Sequence, residues 1–313
     1  MIACVFPGQG AQKVGMGKDL AASHPICRET FAEADDALGE SLSTLCFEGP
    51  EEQLLLTENT QPAILAASVA THRLARQNGI EPAFAAGHSL GEYSAHVAAG
   101  TLSFADALRT VRRRGRYMQE AVPVGHGAMS AILGLDAAAV AEACEAASAE
   151  VGAVVTPANL NAPGQVVIAG EAKAVARAGE IAKARGARRV IALAVSAPFH
   201  CPLMVPAQAR LEPELRALAA NDPSIPVVAN VDAQPKTDAA SAVDALIRQV
   251  SAPVRWEEVV RRLIADGART FVELGPGTVL SGLIRKIDPA VTALSIENVQ
   301  GLEKALLALR AGG

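Results

Sequence analysis

The chain has 313 residues, half of them hydrophobic but only 3% aromatic, enough for two domains whose cores are built from Ala, Val, Leu and Ile. A net charge of -5 at pH 7 gives no global attraction to nucleic acid or to anionic lipid. No apolar run approaches the roughly 18 residues of a membrane span, and the opening MIACVFPGQG lacks the basic segment of a secretory signal, so a soluble cytoplasmic protein is expected.

In chain order, Ile2–Phe6 is a short apolar run stopped by Pro7-Gly8 and reads as a buried strand entering a loop. Residues 62–77 are helical in pattern, 84–86 read as a strand, 90–99 as a helix, and 104–122 as a longer helix ended by Pro123. Strand signals alternating with helical ones imply βαβ units around a mostly parallel sheet. The middle differs: strand 127–135, helix 137–148, strands 151–160 and 165–169, helix 172–185 and strand 189–195. That βαββαβ order is the split-βαβ, ferredoxin-like pattern. It predicts a subdomain of residues 125–195 inserted into a larger α/β unit made of residues 1–124 and 196–313. Residues 226–230 and 270–273 read as further strands of the larger unit. The five cysteines (Cys4, Cys27, Cys46, Cys144 and Cys201) are scattered with no CxxC, which fits a reducing compartment better than a disulfide framework.

Between the strand at 84–86 and the following Ala-rich helix lies Gly87-His88-Ser89-Leu90-Gly91. A Gly-x-Ser-x-Gly between strand and helix is the context of a nucleophile elbow, which lifts the serine hydroxyl above the sheet. The alternative is a tight strand–helix turn with no chemistry. A nucleophilic Ser89 needs a base, and six histidines are available. His88 neighbours Ser89 on the turn and is expected to point away. His96 lies about 10 Å along the helix, too far for a hydrogen bond. His24 and His72 read as surface residues, and His126 falls at the junction with the inserted unit. His200 lies in a loop directly after the last inserted strand, where a sheet can position it, and is the favoured base. No Asp or Glu is near it in sequence, so a backbone carbonyl is one way to fix its tautomer.

The helix at 104–122 carries a stripe of Ala107, Val111, Arg114, Met118 and Val122, in which one arginine interrupts four apolar residues. Arg109, Arg112, Arg113 and Arg116 fall mostly off the stripe and read as solvated. A buried guanidinium stays charged and needs an anion. That anion is either a protein carboxylate or a carboxylate on a substrate, held bidentately. In the second case Ser89 and Arg114 together would handle an acyl group with a free carboxylate.

Taken in order, Phe6-Pro7-Gly8-Gln9-Gly10-Ala11-Gln12, Thr60-Gln61-Pro62-Ala63, the Ser89 pentapeptide, Arg114-Gly115, the Asn159 to Gln165 segment NLNAPGQ, the His200 loop and Glu273-Leu274-Gly275-Pro276-Gly277 resemble the malonyl-CoA:acyl carrier protein transacylases and the related acyltransferase domains of polyketide synthases. The resemblance covers essentially the whole chain. It implies an α/β fold with a hydrolase-like core and a nucleophile elbow, plus the ferredoxin-like insert. It implies Ser89 as nucleophile, His200 as base, and an oxyanion hole from the backbone N–H groups of Gln9 and Leu90. It further implies that the Gln249 carbonyl orients His200, that Arg114 holds the malonyl carboxylate, and that Asn161 lines the pocket. Phe199 fits malonyl over methylmalonyl, since in the polyketide domains a Phe there goes with malonyl. Malonyl-CoA and the phosphopantetheine of holo acyl carrier protein are implied as substrates; no bound cofactor and no metal are expected, and a monomer is expected. A basic cluster at Lys183, Arg185, Arg188 and Arg189 offers a dock for an acidic carrier, or is an ordinary solvated helix end. Two rivals remain at this level: a serine hydrolase, for which a buried Arg114 has no use, and a non-catalytic acyltransferase-like module.

Overall fold

The computed structural model describes residues 1–195 and 197–311. Ser196, where the second part of the larger unit is expected to open, lies outside the described residues, as do Gly312 and Gly313. β1 (Ile2–Phe6) is followed by α1 (Lys18–Ser23), α2 (Pro25–Leu38), α3 (Leu42–Glu48) and the single turn α4 (Glu51–Leu54). Then come α5 (Thr57–Gln77), β2 (Phe84–Gly87), α6 (Gly91–Ala98) and α7 (Phe104–Glu120). The middle runs β3 (Gly127–Leu133), α8 (Ala137–Val151), β4 (Val155–Ala162), β5 (Gln165–Glu171), α9 (Ala172–Ala184) and β6 (Arg189–Ala192). After a short 3-10 turn come α10 (Val205–Arg216), β7 (Val227–Val228), β8 (Pro235–Lys236), α11 (Ala239–Gln249) and α12 (Trp256–Ala265). β9 (Thr270–Leu274), α13 (Val279–Ile287), β10 (Thr292–Ile296) and α14 (Val299–Ala311) complete it.

The strands form two sheets. The first has the order β10-β9-β1-β2-β7-β8 and is parallel except for β8. Helices cover both faces, so its strands read as continuous apolar runs. β1 shows this by alternation: Cys4 and Phe6 face one core, while Ala3 and Val5 face a second core under α12 and α13. Phe6 lies opposite Gly87, which puts the carboxyl ends of β1 and β2 level. The loops leaving that edge carry Gln9 and Ser89, the usual position for function in a parallel sheet.

The second sheet is antiparallel, with the ferredoxin-like order β4-β5-β3-β6. One face packs on α8 and α9 through Ile132, Val140, Cys144, Ile168 and Val175. The other face adds Met129, Ala158, Val167 and Ala169 to the main core. β4 is also clipped by Val254, whose N–H donates to the Ala158 carbonyl (2.9 Å) and whose carbonyl accepts from Leu160 (2.9 Å).

Four elements depart from expectation, among them β4, which opens at Val155 rather than at 151 because α8 runs on to Val151 before Gly152 ends it. α5 begins at Thr57 and runs through Pro62 rather than starting there. Proline removes one intrahelical bond near the helix start, and a helix buried on almost every side absorbs that loss. β6 stops at Ala192, opposite Ser130, and after one further bond from the Leu193 N–H to the Met129 carbonyl (3.0 Å) the chain leaves the sheet. The strand expected at 226–230 shrinks to two residues, because Asn230 leaves the ladder to bond elsewhere. Among the described residues no helix is long and apolar enough to cross a membrane.

Candidate active site

The turn between β2 and α6 is set by close packing. A Cβ on Gly91 would sit 2.1 Å from the Phe6 carbonyl oxygen, so only glycine lets the helix start this near β1. Ser89 itself has φ 53, a left-handed conformation that costs a non-glycine residue about 1–3 kcal/mol and persists only where its surroundings enforce it. Asn230 supplies that enforcement. Its Oδ1 accepts from the Ser89 N–H (2.7 Å) and its Nδ2 donates to the Gly87 carbonyl (2.7 Å). The Ser89 hydroxyl is thereby placed 2.6 Å from His200 Nε2.

His200 is 3% exposed and also has positive φ, at 58. Its Nδ1 is 3.0 Å from the Gln249 carbonyl. A carbonyl only accepts, so Nδ1 carries the proton and Nε2 is left to accept from Ser89. Burial, reinforced by the Arg114 charge, pulls the imidazole down to about 3, so it is neutral at pH 7. A neutral acceptor touching a serine hydroxyl is the arrangement of an activated nucleophile.

Arg114 is 2% exposed. Its Nη1 donates to Gln61 Oε1 (2.8 Å), and its Nη2 donates to Gln249 Oε1 (2.9 Å) and to Ser89 Oγ (3.2 Å). Its Cζ lies 5.6 Å from the Tyr93 ring centroid. Among the described residues it makes no ion pair with a carboxylate. α7 comes close enough to α5 for the Gln61 contact because of Gly115, where a Cβ would meet the Thr57 carbonyl oxygen at 2.6 Å. Of its neighbours, Arg109, Arg113 and Arg116 are exposed as expected, but Arg112 is half-buried and paired with Glu40.

These groups face a cavity of about 120 Å³. Gln9, Gln61, Ser89 and Arg114 form its polar end, and Met118, Met129, Leu193, Val195 and Phe199 line the rest. It lies between the two sheets: Met129 comes from β3, while Leu193 and Val195 come from the stretch that leaves β6. Gln9 and Leu90 both line it, and among the described residues neither backbone N–H has a protein acceptor. The Gln9 side chain donates to Thr57 Oγ1 (3.2 Å).

Other expectations need correction. Asn161 does not line the cavity; its Oδ1 is 2.8 Å from His88 Nε2, and Asn159 takes the lining position. His24 and His72 are half-buried rather than on the surface, and burial pulls His72 down to about 4. His96 is fully buried against Thr101 Oγ1 (3.3 Å) and is pulled down to about 3 by burial. Lys183, Arg185, Arg188 and Arg189 are exposed and stand at the far end of β6 from the cavity, with Arg189 opposite Leu133 and Arg185 paired with Glu142 (2.8 Å). Cys201 beside His200 is buried, its Sγ donates to the Pro198 carbonyl (3.0 Å), and burial pushes it up to about 11, so it is an inert thiol. The five cysteines are all free.

Two residues at the site were missed in the sequence. One is Asn230, already described. The other is Glu92, a fully buried carboxylate whose Oε2 accepts from the Asn230 N–H and from Gln249 Nε2, each at 2.9 Å. A charged residue in the small, apolar helix GEYSAHVA is the hint that was available.

Comparison with known proteins agrees with this geometry. The model of the acyl transferase domain family matches residues 3–301. The malonyl CoA-acyl carrier protein transacylase of Bacillus subtilis is 49% identical over 309 residues, covering 99% of this chain and 97% of that protein. That of Escherichia coli is 52% identical over 305 residues, covering 97% and 98%. The crystal structure of an acyl carrier protein S-malonyltransferase from Vibrio cholerae superposes with a TM-score of 0.94 at 50% identity, covering 97% of this chain and 99% of that one. A type II polyketide synthase acyl-carrier protein in complex with its malonyl-transacylase gives a TM-score of 0.95 at 48% identity, covering 98% and 99%.

Proposed function

The chain belongs to the acyl transferase domain family, and from that membership and the cavity we infer that it transfers the malonyl group of malonyl-CoA to the phosphopantetheine thiol of an acyl carrier protein, through a malonyl-serine, in fatty-acid or polyketide biosynthesis. The observation that carries the substrate assignment is the buried Arg114, which touches the Ser89 hydroxyl and, among the described residues, has no carboxylate of its own.

The steps follow from the protonation states. Neutral His200 takes the Ser89 proton on Nε2 as Oγ attacks the thioester carbon. The imidazolium is stabilised by its Nδ1–H bond to the Gln249 carbonyl. Negative charge develops on the former carbonyl oxygen, between the free N–H groups of Gln9 and Leu90, and such a donor supplies about 3 kcal/mol. Collapse expels the coenzyme A thiolate, which takes the proton from Nε2. The phosphopantetheine thiol then gives its proton to His200 and attacks the malonyl-serine. The second tetrahedral species collapses to malonyl-carrier, and Ser89 is reprotonated. Arg114 holds the free carboxylate through both halves by its two Nη groups, in the bidentate manner that guanidinium favours. The Phe199 ring on the cavity wall crowds an α-methyl group, a discrimination worth about 1–3 kcal/mol.

We extend the reading in four respects. Residues 125–195 form an inserted subdomain between the two parts of the larger unit, 1–124 and 196–313. The enzyme is a cytoplasmic monomer. It uses its substrates without a bound cofactor or a metal. The exposed Lys183, Arg185, Arg188 and Arg189 are the part of the surface that an acidic carrier meets. Intact-mass measurement tests the central claim. Malonyl-CoA should add one malonyl group to the protein, absent in Ser89→Ala, and holo carrier protein should remove it. Release of malonate to water at the same rate with or without carrier would mean a hydrolase instead.

A further inference from the structure

The mechanism leaves unused a buried carboxylate beside the site, whereas the other buried one, Glu273, accepts from the Leu280 and Ser281 N–H groups at the start of α13. Glu92 stands three residues after the nucleophile, fully buried, with Oε2 held by Asn230 and Gln249 and Oε1 without a protein partner among the described residues. Gln249 is the hinge of this arrangement. Its Nε2 donates to Glu92 Oε2 (2.9 Å) and to the Ser89 carbonyl (2.9 Å), while its Oε1 accepts from Arg114 (2.9 Å). The amide therefore has a fixed polarity, donor toward the carboxylate and acceptor toward the guanidinium. A carboxylate cannot accept from an amide oxygen, and a guanidinium cannot donate to an amide nitrogen, so a flipped Gln249 would break both contacts.

We propose that Glu92 is a positioning residue for substrate discrimination: acting through the Gln249 side chain, it holds the Arg114 guanidinium turned toward Ser89 without pairing with it. The separation is the point of the device. A direct Glu–Arg ion pair would occupy the fork that the substrate carboxylate needs. A relay through a neutral amide places a negative charge near Arg114 while its Nη groups bond only neutral oxygens, those of Gln61, Gln249 and Ser89. Asn230, bound to the same oxygen, extends the same control to the Ser89 backbone. This inference rests on Arg114 being the carboxylate site.

Glu92 is pushed up to about 7 by burial, against the hydrogen bonds from Gln249 and Asn230. The charged and titratable groups acting on it are Asp232 from the turn after β7 and Arg114 from α7, with Tyr93 beside it on α6. When protonated, Glu92 is neutral, accepts more weakly from Gln249 Nε2 and loosens the hold on the amide. The malonyl carboxylate stays ionised in this range, and the coenzyme moiety and His200 are common to malonyl and acetyl substrates. The ratio of the two kcat/KM values therefore isolates the relay.

The experiment compares kcat/KM for malonyl-CoA and acetyl-CoA, with holo carrier protein, in wild type, Glu92→Gln, Gln249→Leu, the double variant and Arg114→Ala, each checked for folding by thermal melting. In Glu92→Gln the malonyl-to-acetyl ratio should fall about tenfold, and it should fall no further when Glu92→Gln is added to Gln249→Leu. A fall of less than about threefold in folded Glu92→Gln, or an equal loss in both backgrounds, overturns the inference. If Arg114→Ala collapses the ratio and Glu92→Gln does not, only the Glu92 inference fails. If Arg114→Ala leaves the ratio unchanged, the carboxylate site itself is misassigned. Should Glu92→Gln not fold, the wild-type ratio decides: it should drop as pH falls through about 7, and a flat ratio overturns the proposal.

Discussion

Arg114 spends the free-enzyme state bonded to two amide oxygens and one hydroxyl, so the two readings left open by the sequence forecast different outcomes for Arg114→Ala. A purely structural ion pair would strand a buried carboxylate and cost about 3–5 kcal/mol of stability. Here the substitution leaves two neutral amide oxygens short of a donor, and the enzyme should remain folded at room temperature. Malonyl transfer should fall a hundredfold or more, because losing a buried charge pair from the complex costs about 3 kcal/mol. Acetyl-CoA leaves nothing unpaired, so its transfer should hold within about threefold or improve. Rates for the two substrates in a folded Arg114→Ala enzyme decide the matter; an unchanged preference for malonyl refutes the assignment. Ser89, His200 and Arg114 were visible in the sequence because each breaks a local pattern. Ser89 sits between glycines after a strand, His200 in a loop after one, and Arg114 in an apolar stripe. Glu92 and Asn230 were not visible, since their meaning lies in bonds to residues 138 or more positions apart.

At the level of elements, α5 and α7 are the pair that brings Gln61 to Arg114, and Gly115 sets their separation. An alanine there would put its Cβ 2.6 Å from a helix carbonyl and 2.7 Å from the Glu58 Cα, neither of which can swing aside. Gly115→Ala should therefore cost about 1–3 kcal/mol of stability through overpacking, despite alanine's better helix propensity. It should also lower malonyl transfer more than acetyl transfer, because the guanidinium moves with its helix. Denaturant melts together with both kcat/KM values test this, and a stabilised enzyme would show that the helices can part freely. Element identity was easiest to read where patterns were long or buried, as in β1, α7 and the βαββαβ middle. Among the helices between Lys18 and Leu54, which went unread, α1, α3 and α4 have seven residues or fewer, while the 14-residue α2 buries only Cys27, Thr30, Phe31 and Ala34, a sparse apolar stripe. β10 went unread as well, since only two of its five residues are buried, which leaves too weak an apolar signal. The order of the strands across the first sheet lay beyond any local pattern, because β9 joins β1 across most of the chain.

The whole molecule carries opposing titrations. His72, His96 and His200 are held neutral, at about 4, 3 and 3, all below the ordinary histidine value. Folded pKa values depressed in this way mean that the unfolded chain takes up protons first. Their contribution is complete above about pH 6.5 and is lost as pH falls toward 4, with a slope of at most about 4 kcal/mol per pH unit for three groups. Glu92, raised to about 7, acts in the opposite sense and withdraws stability as pH rises toward 7. The three histidines outweigh the single carboxyl wherever both titrate, so stability should be greatest at neutral to mildly alkaline pH and fall steeply below about 6.5, and His96→Gln should flatten the acid limb by about one proton. Denaturant titration across pH reads this directly, and an unchanged acid limb in His96→Gln would show that His96 does not contribute.

Charge also bears on the carrier protein. The enzyme is net negative, and so is the carrier expected for it, so encounter depends on a local basic surface. Arg185 is already engaged by Glu142, whereas among the described residues Lys183, Arg188 and Arg189 make no ion pair with a carboxylate. Of these, Arg189 opens β6, about 13 Å along the chain from Leu193 at the cavity, near enough to anchor a carrier whose thiol reaches inward and too far to touch bound malonyl. Reversing the three charges should raise KM for carrier protein several-fold, with an effect that shrinks as salt is added, because exposed charges are screened. KM for malonyl-CoA should stay where it is. Equal changes in both KM values, or none, would leave the cluster as a solvated helix end and move the dock to another face.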